Sequence, residues 1–315
     1  MSLIKLFLVF SIVFGVFTFN IAQDNGTSSA NIIDNNTPDD RFAFSYGVLL
    51  GDNLTKTGLS MEMVSINKIF DGIKEVMNNS NTALSEADAQ RFVNEKLSEL
   101  QMDNPSAGEI LDNKVIKSNL EDFCFNYGVL IGHNLNNFDL KMIDFSLKDF
   151  ENGVTAMMLG NDSSLNTQIA QAEVSAKFQL MQKIKTDKQL NANDAFMHKN
   201  KTRANIISLA SGIQYEVLKK GNGNSPTSES KVTTHYHGTL IDGTIFDSSV
   251  ERNEPISFAL TGVIKGWQET LPLMKEGGKI IAYIPPHMAY GNRTRNKIPA
   301  NSVLIFEIEL ISVDK

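Results

Sequence analysis

One thirteen-residue pattern occurs twice in this 315-residue chain, and it constrains the fold more than any other feature. FAFSYGVLLGDNL (Phe42 to Leu54) returns as FCFNYGVLIGHNL (Phe123 to Leu135), with nine of thirteen positions identical and an offset of 81 residues. The same offset, without gaps, pairs Leu59 with Leu140, Met61 with Met142, Gly72 with Gly153, Met77 with Met158 and Leu84 with Leu165. It reaches Ala89-Gln90 and Ala170-Gln171. So long a period at constant offset describes a duplicated unit, not a short solenoid repeat.

Each copy reads as helical. Phe44, Val48, Leu49 and Leu54 keep an apolar face at three-to-four spacing, with Gly47 and Gly51 between them, so that another helix can approach closely. A second helix carries Met61, Ile66, Ile69, Ile73 and Val76 in one copy, and Met142, Leu147, Phe150 and Val154 in the other. These methionines suit helix packing better than ligation, because Met is an adaptable filler. A third helix starts at Ser85 or Asn166, both N-cap residues. In the first copy it ends near Asp103-Asn104-Pro105. In the second nothing stops it from Thr167 to about Lys199, which predicts a rod of ~50 Å at ~1.5 Å per residue.

After Asn200 the period changes. Lys231 to Leu240 and Ser302 to Ser312 alternate apolar and polar, Gly277-Gly278 supplies a turn, and one short helix starts near Ile264. Helices first and strands second predict an α+β multidomain chain: a duplicated all-α module, a long connecting helix, and a C-terminal antiparallel sheet wrapped on a short helix.

The N-terminus reads as an export signal. Lys5 precedes an apolar run, Leu6 to Phe19, of 14 residues, and Ala22 is the expected last residue before cleavage. That run is shorter than the ~20 residues a spanning helix needs, although an uncleaved anchor is the alternative reading. Residues 23–41 are polar and read as a tether. Net charge is −7, which argues against a nucleic-acid partner. Cys124 is the single cysteine, so no intrachain disulfide can form, and flanking Phe123 and Phe125 favour its burial.

The chemistry lies in five fragments between Val232 and Leu310: Y-H-G-T-L (Tyr236 to Leu240), G-T-I-F-D-S-S (Gly243 to Ser249), V-I-K-G-W (Val263 to Trp267), A-Y-G (Ala289 to Gly291) and I-P-A-N-S-V-L-I-F-E-I-E-L (Ile298 to Leu310). Together they read as an aromatic pocket poor in titratable groups. No Ser-His-Asp set and no paired carboxylates stand out. His235 and His237 share a strand face, but no third ligand is near, so neither a metal nor a cofactor is expected. Phe258, Val263 and Phe306 equally suit a plain core, and Asp247-Ser248-Ser249 equally suits a turn.

Those fragments, over Gly212 to Leu310, resemble an FKBP-type peptidyl-prolyl cis/trans isomerase domain. SYGVLLGDNL and NYGVLIGHNL resemble the N-terminal helical module of the Mip-like (macrophage infectivity potentiator) members of that family, which carry one copy where this chain has two. The residues and the resemblance together predict domains at 1–22 (signal), 23–41 (tether), 42–121 (first helical repeat with connection), 122–200 (second repeat and connecting helix) and 201–315 (isomerase, which the resemblance makes an FKBP-like half-barrel). The resemblance implies that Trp267 floors a proline pocket walled by Phe246, Phe258 and Phe306, with Val263 and Ile298 beside it. It further implies that the Ile264 N–H and the Tyr290 hydroxyl hold substrate carbonyls, and that Asp247, bonded to Tyr236, orients the pocket electrostatically.

Prolyl polypeptides are the implied clients, and FK506/rapamycin-type macrolides the implied ligands, of an exported, periplasmic or cell-surface protein. A client-binding chaperone with weak or no isomerase turnover is the alternative, and a surface adhesin or structural protein a third reading. Two departures bear on substrate choice: Asn292 to Lys297 carries three cations where the family has a Gly-containing loop, and Met288 replaces a common aromatic. Because family members pair their single modules between two chains, two copies in one chain are expected to pair internally and give a monomer. A homodimer through the outer faces is the alternative.

Overall fold

The computed structural model of the protein describes residues 40–78, 84–103, 114–160 and 165–314. The expected signal, the tether up to residue 39 and the Asn104-Pro105 breaker lie outside the described residues. No described helix is long and apolar enough to cross a membrane. The chain forms two compact units that divide at Gln182/Lys183, inside its longest helix.

The first unit is helical. Helices α1 (Asp40–Lys56), α2 (Ile66–Asn78) and α3 (Glu86–Asp103) are followed by α4 (Lys114–Asn137), α5 (Leu147–Leu159) and α6 (Thr167–Lys201). The expected caps are present: Ser85 Oγ accepts from the Asp88 N–H, and Asn166 Oδ1 from the Gln168 N–H at 2.8 Å. Asp40 and Arg41 already belong to α1, and the segment read as a connection up to Glu121 is helical from Lys114. Met61 and Met142, placed by sequence on the second helix of each copy, instead stand on separate 3-10 turns, Met61–Met63 and Met142–Asp144. Val64 and Phe145 are extended, which breaks the helix, and Ser146 then starts α5 by accepting from the Asp149 N–H.

The two tightest helix pairs do not join neighbours in sequence, although α3 also packs on α4. α1 lies against α5, and α2 against α4, so each copy's first helix packs on the other copy's second. Glycines set these contacts. A Cβ at Gly47 would stand 2.1 Å from the Phe150 carbonyl oxygen, and one at Gly128 2.0 Å from that of Ile69. One at Gly72 would meet the Phe125 carbonyl oxygen at 2.1 Å, and one at Gly153 that of Phe44 at 2.1 Å. Each contact recurs with one partner 81 residues further along and the other 81 residues back, so Gly47–Phe150 becomes Gly128–Ile69, and Gly72–Phe125 becomes Gly153–Phe44. The buried hydroxyls match in the same way: Tyr46 donates to Asn134 Oδ1 at 3.2 Å and Tyr127 to Asn53 Oδ1 at 3.4 Å. Leaving either hydroxyl unpaired would cost ~1–3 kcal/mol. One core runs through the unit, from Phe42 and Tyr46 through Ile69, Ile73, Tyr127 and Phe150 to Phe178 on α6.

The second unit begins within α6. Asn193 Nδ2 donates to the Asn301 carbonyl, Phe196 lies 6.0 Å from the Tyr283 ring, and Asn200 Nδ2 bonds Gln214 Oε1 at 2.9 Å. Strands β1 (Ile207–Ser208), β2 (Gln214–Lys219), β3 (Lys231–Thr239), β4 (Ile245–Ser248) and β5 (Ile256–Ala259) precede a short helix, α7 (Lys265–Thr270). β6 (Lys279–Ile284) and β7 (Leu304–Asp314) complete an antiparallel sheet in the order β1-β2-β6-β7-β3-β4. The outer edge of β3 is shared: Lys231 to Thr234 pair with β5, and His237 to Thr239 with β4. Between them, at Tyr236, Ser249 replaces a strand partner. Its N–H donates to the Tyr236 carbonyl at 3.0 Å, and its Oγ accepts from the Tyr236 N–H at 2.8 Å.

Candidate active site

Period-two alternation puts Val232, Thr234, Tyr236 and Gly238 of β3 on one face, together with Leu304, Phe306, Ile308 and Leu310 of β7. Phe306 stands opposite Gly238, and a Cβ on Gly238 would meet the Phe246 ring at 2.7 Å. That glycine lets Phe246 lie edge-on to Phe306, with centroids 5.3 Å apart. α7 covers the same face. A Cβ on Gly266 would stand 2.4 Å from Ile284, so the glycine of K-G-W brings the helix down onto the sheet.

Trp267 sits in the middle, 5% exposed. Its ring is 5.3 Å from Tyr236, 5.0 Å from Phe306 and 5.2 Å from Phe258. Val263, Ile264 and Ile298 pack against this cluster. Ile264 occupies the N-cap of α7, where its carbonyl accepts from the Trp267 N–H at 3.0 Å. Trp267 Nε1 is buried without a partner among the described residues.

One carboxylate and one guanidinium border these rings. Asp247, on β4, accepts from the Tyr236 hydroxyl through Oδ2 and from the Arg252 guanidinium through Oδ1. Arg252 also donates to the Tyr236 oxygen at 3.2 Å. Partial burial alone would raise the Asp247 pKa and is its largest single influence. The Tyr236 hydroxyl, the Arg252 guanidinium and the Ser248 N–H together outweigh it and hold the carboxyl below its usual range. Tyr236 is pushed the other way, chiefly by burial and then by Asp247. The carboxylate therefore stays ionised and the phenol protonated at neutral pH, and neither is poised for proton transfer.

Most of the expected site residues thus meet in one cluster. Tyr290 is 37% exposed on the β6–β7 connection, with the Arg295 guanidinium 6.0 Å over its ring. His235 and His237 bond Ser249 and Ser248 respectively, and His287 bonds the Ser211 carbonyl. Arg252 was missed. Its only signal in the sequence is a cation five residues after Asp247, in an irregular connection without a period.

Comparison with known proteins agrees with this geometry. The family model described as FKBP-type peptidyl-prolyl cis-trans isomerase matches residues 223–311. The model for the domain amino terminal to FKBP-type peptidyl-prolyl isomerase matches residues 120–217. The Peptidyl-prolyl cis-trans isomerase Mip of Coxiella burnetii is 37% identical over 212 residues, covering 64% of this chain and 89% of that protein. The chain belongs to the FKBP-type peptidyl-prolyl cis-trans isomerase family. It is an enzyme of that type, close to the Mip-like members. The Outer membrane protein MIP of Legionella longbeachae is 34% identical over 214 residues, covering 65% of this chain and 90% of that one. The crystal structure of FkpA from Escherichia coli matches with a TM-score of 0.50 at 32% identity, covering 64% of this chain and 97% of that one. Helices α1 to α3, residues 40–103, lie ahead of both family matches.

Proposed function

We propose that this chain is an exported, self-paired prolyl isomerase presenting one pocket to polypeptide clients, with the Trp267 cluster as that pocket. The observation that carries this reading is the Asp247–Tyr236–Arg252 network fixed beside the Trp267, Phe258 and Phe306 rings. Rotation of a peptide bond meets a barrier of ~18–20 kcal/mol because resonance is lost in the twisted state. X-Pro bonds populate both isomers and exchange in ~10–100 s without a catalyst. The planar amide is more dipolar than the twisted one, so an apolar enclosure raises the starting state relative to the transition state. Each ~1.36 kcal/mol of difference gives a factor of ten in rate, with no bond made or broken other than hydrogen bonds.

In this scheme the proline ring rests on Trp267, between Phe246, Phe258 and Phe306, with Val263 and Ile298 closing its sides. The Ile264 N–H takes one substrate carbonyl, and the Tyr290 hydroxyl reaches another from the loop. Asp247, locked by Tyr236 and Arg252, supplies a fixed negative field beside the amide. The same apolar enclosure suits FK506/rapamycin-type macrolides. Residues 1–22 act as the signal, 23–39 as a tether, 40–121 and 122–201 as the two helical repeats with the connecting helix, and the residues that follow, to 315, as the isomerase domain. Export to the periplasm or cell surface is the consequence of that signal, and is in keeping with a relative whose name places it in the outer membrane.

A prolyl-peptide isomerisation assay on the purified protein tests the pocket assignment. Trp267→Ala and Asp247→Val are each expected to lower kcat/KM at least tenfold while the sheet stays folded. Unchanged turnover in both variants would sink the catalytic assignment, and no turnover in the parent would favour a client-holding module instead.

A further inference from the structure

The β6–β7 connection carries a feature that the aromatic pocket does not use. Asn292 to Lys297 is exposed throughout and contains Arg293, Arg295 and Lys297 with no acid among them, in a chain whose net charge is −7. The segment is not slack. The Arg295 N–H donates to the Ile298 carbonyl at 2.9 Å, the Ile298 N–H donates back at 2.7 Å, and the Arg293 N–H bonds the Tyr290 carbonyl at 3.2 Å. Asn296 takes a positive φ of 42° at its tip. Both roots of the loop are candidate site residues: it leaves from Tyr290, and it returns at Ile298, which is packed in the Trp267 cluster.

The side chains of Arg293 and Lys297 have no ion-pair partner among the described residues, while Arg295 lies over the Tyr290 ring. Lys265, exposed directly after Ile264, adds a further cation at the start of α7. Acids near the cluster do not neutralise them. Asp247 is taken by Arg252 and Tyr236, and Glu251 and Glu254 stand exposed on the β4–β5 connection, at the outer edge of β3.

We propose that this loop makes the isomerase selective for prolines flanked by acidic residues: Arg293 and Lys297 contact carboxylates next to the proline, while Arg295 stays over Tyr290 and the proline ring occupies the aromatic cluster. The inference rests on the pocket assignment above. Each exposed ion pair contributes about 1.4- to 5-fold, so two pairs give an acidic client roughly two- to 25-fold over a neutral one. The preference belongs to low salt, because the screening length shrinks from ~30 Å at ~0.01 M to ~3 Å at ~1 M.

Three otherwise identical peptides centred on Leu-Pro, flanked by Glu, Ala or Lys, test it. Trp267 is the only tryptophan, so its fluorescence reports binding whether or not the peptide is turned over. The Glu peptide is expected to bind severalfold more tightly than the Ala peptide, and the Lys peptide more weakly. The difference should fade at high salt and fall towards unity in the double variant R293Q/K297Q, with Arg295 retained for its contact with Tyr290. Equal affinities for the Glu and Ala peptides, or a preference that survives R293Q/K297Q, would overturn the proposal. Loss of turnover with the Ala peptide in the parent protein would instead count against the isomerase pocket, and the binding series would still decide the role of the loop.

Discussion

Asp247 is pulled towards its ionised form by a phenol and a guanidinium, against the partial burial that opposes it. A carboxyl with a depressed folded pKa adds stability that is present above its unfolded pKa, about 3.9, and is lost as pH falls through the folded value. Tyr236, raised, adds stability present below about 10 and lost above it. A profile of kcat/KM should therefore be level across neutral pH and fall only at the two extremes; a bell centred near 7 would mean that a proton is transferred after all. Cys124 offers a second residue-level check. It is 1% exposed, and burial pushes its thiol up to about 11 while the Ser65 N–H bonds its sulfur. A thiol-specific reagent should label it at the rate of unfolding, and fast labelling of the native protein would contradict its place in the core. The Asp247–Tyr236 pair was legible because both lie in motifs. Arg252 was not, because an irregular connection fixes no direction for its side chains.

At the level of elements, the glycines of the first unit are its most sensitive points. Gly47→Ala and Gly128→Ala each push a methyl group against a carbonyl of the facing helix, and each should cost about 1–3 kcal/mol, as overpacking does. Because these positions are 81 residues apart and make matching contacts, the two losses should be similar. Melting monitored by helical circular dichroism should record them, while Trp267 fluorescence, in the other unit, should keep its own transition. A large loss at one site and none at the other would mean that the two contacts are not equivalent. The sequence foretold close approach through small residues four apart, and it foretold the caps at Ser85 and Asn166. It did not foretell the 3-10 turns at Met61 and Met142, because an apolar face continues across a break that only the backbone reveals.

On the scale of the whole molecule, the duplication places helices α1 to α3 ahead of residues 120–311, which the two family models match. The offset of 81 residues was legible in the amino acids, but which helix each would choose was not. A hairpin and an exchanged pairing bury the same apolar faces, and periodicity does not distinguish them. Within one chain α1 packs on α5 and α2 on α4, and in the self-paired reading proposed above these are the faces that a second chain would otherwise fill. Under the proposed self-pairing, such a chain carries one isomerase pocket and needs no partner to complete its helical module. The molar mass in solution, measured by light scattering on the purified chain, tests this most directly. A single species near the 34.9 kDa of one chain is expected, and a stable species near twice that mass would contradict it.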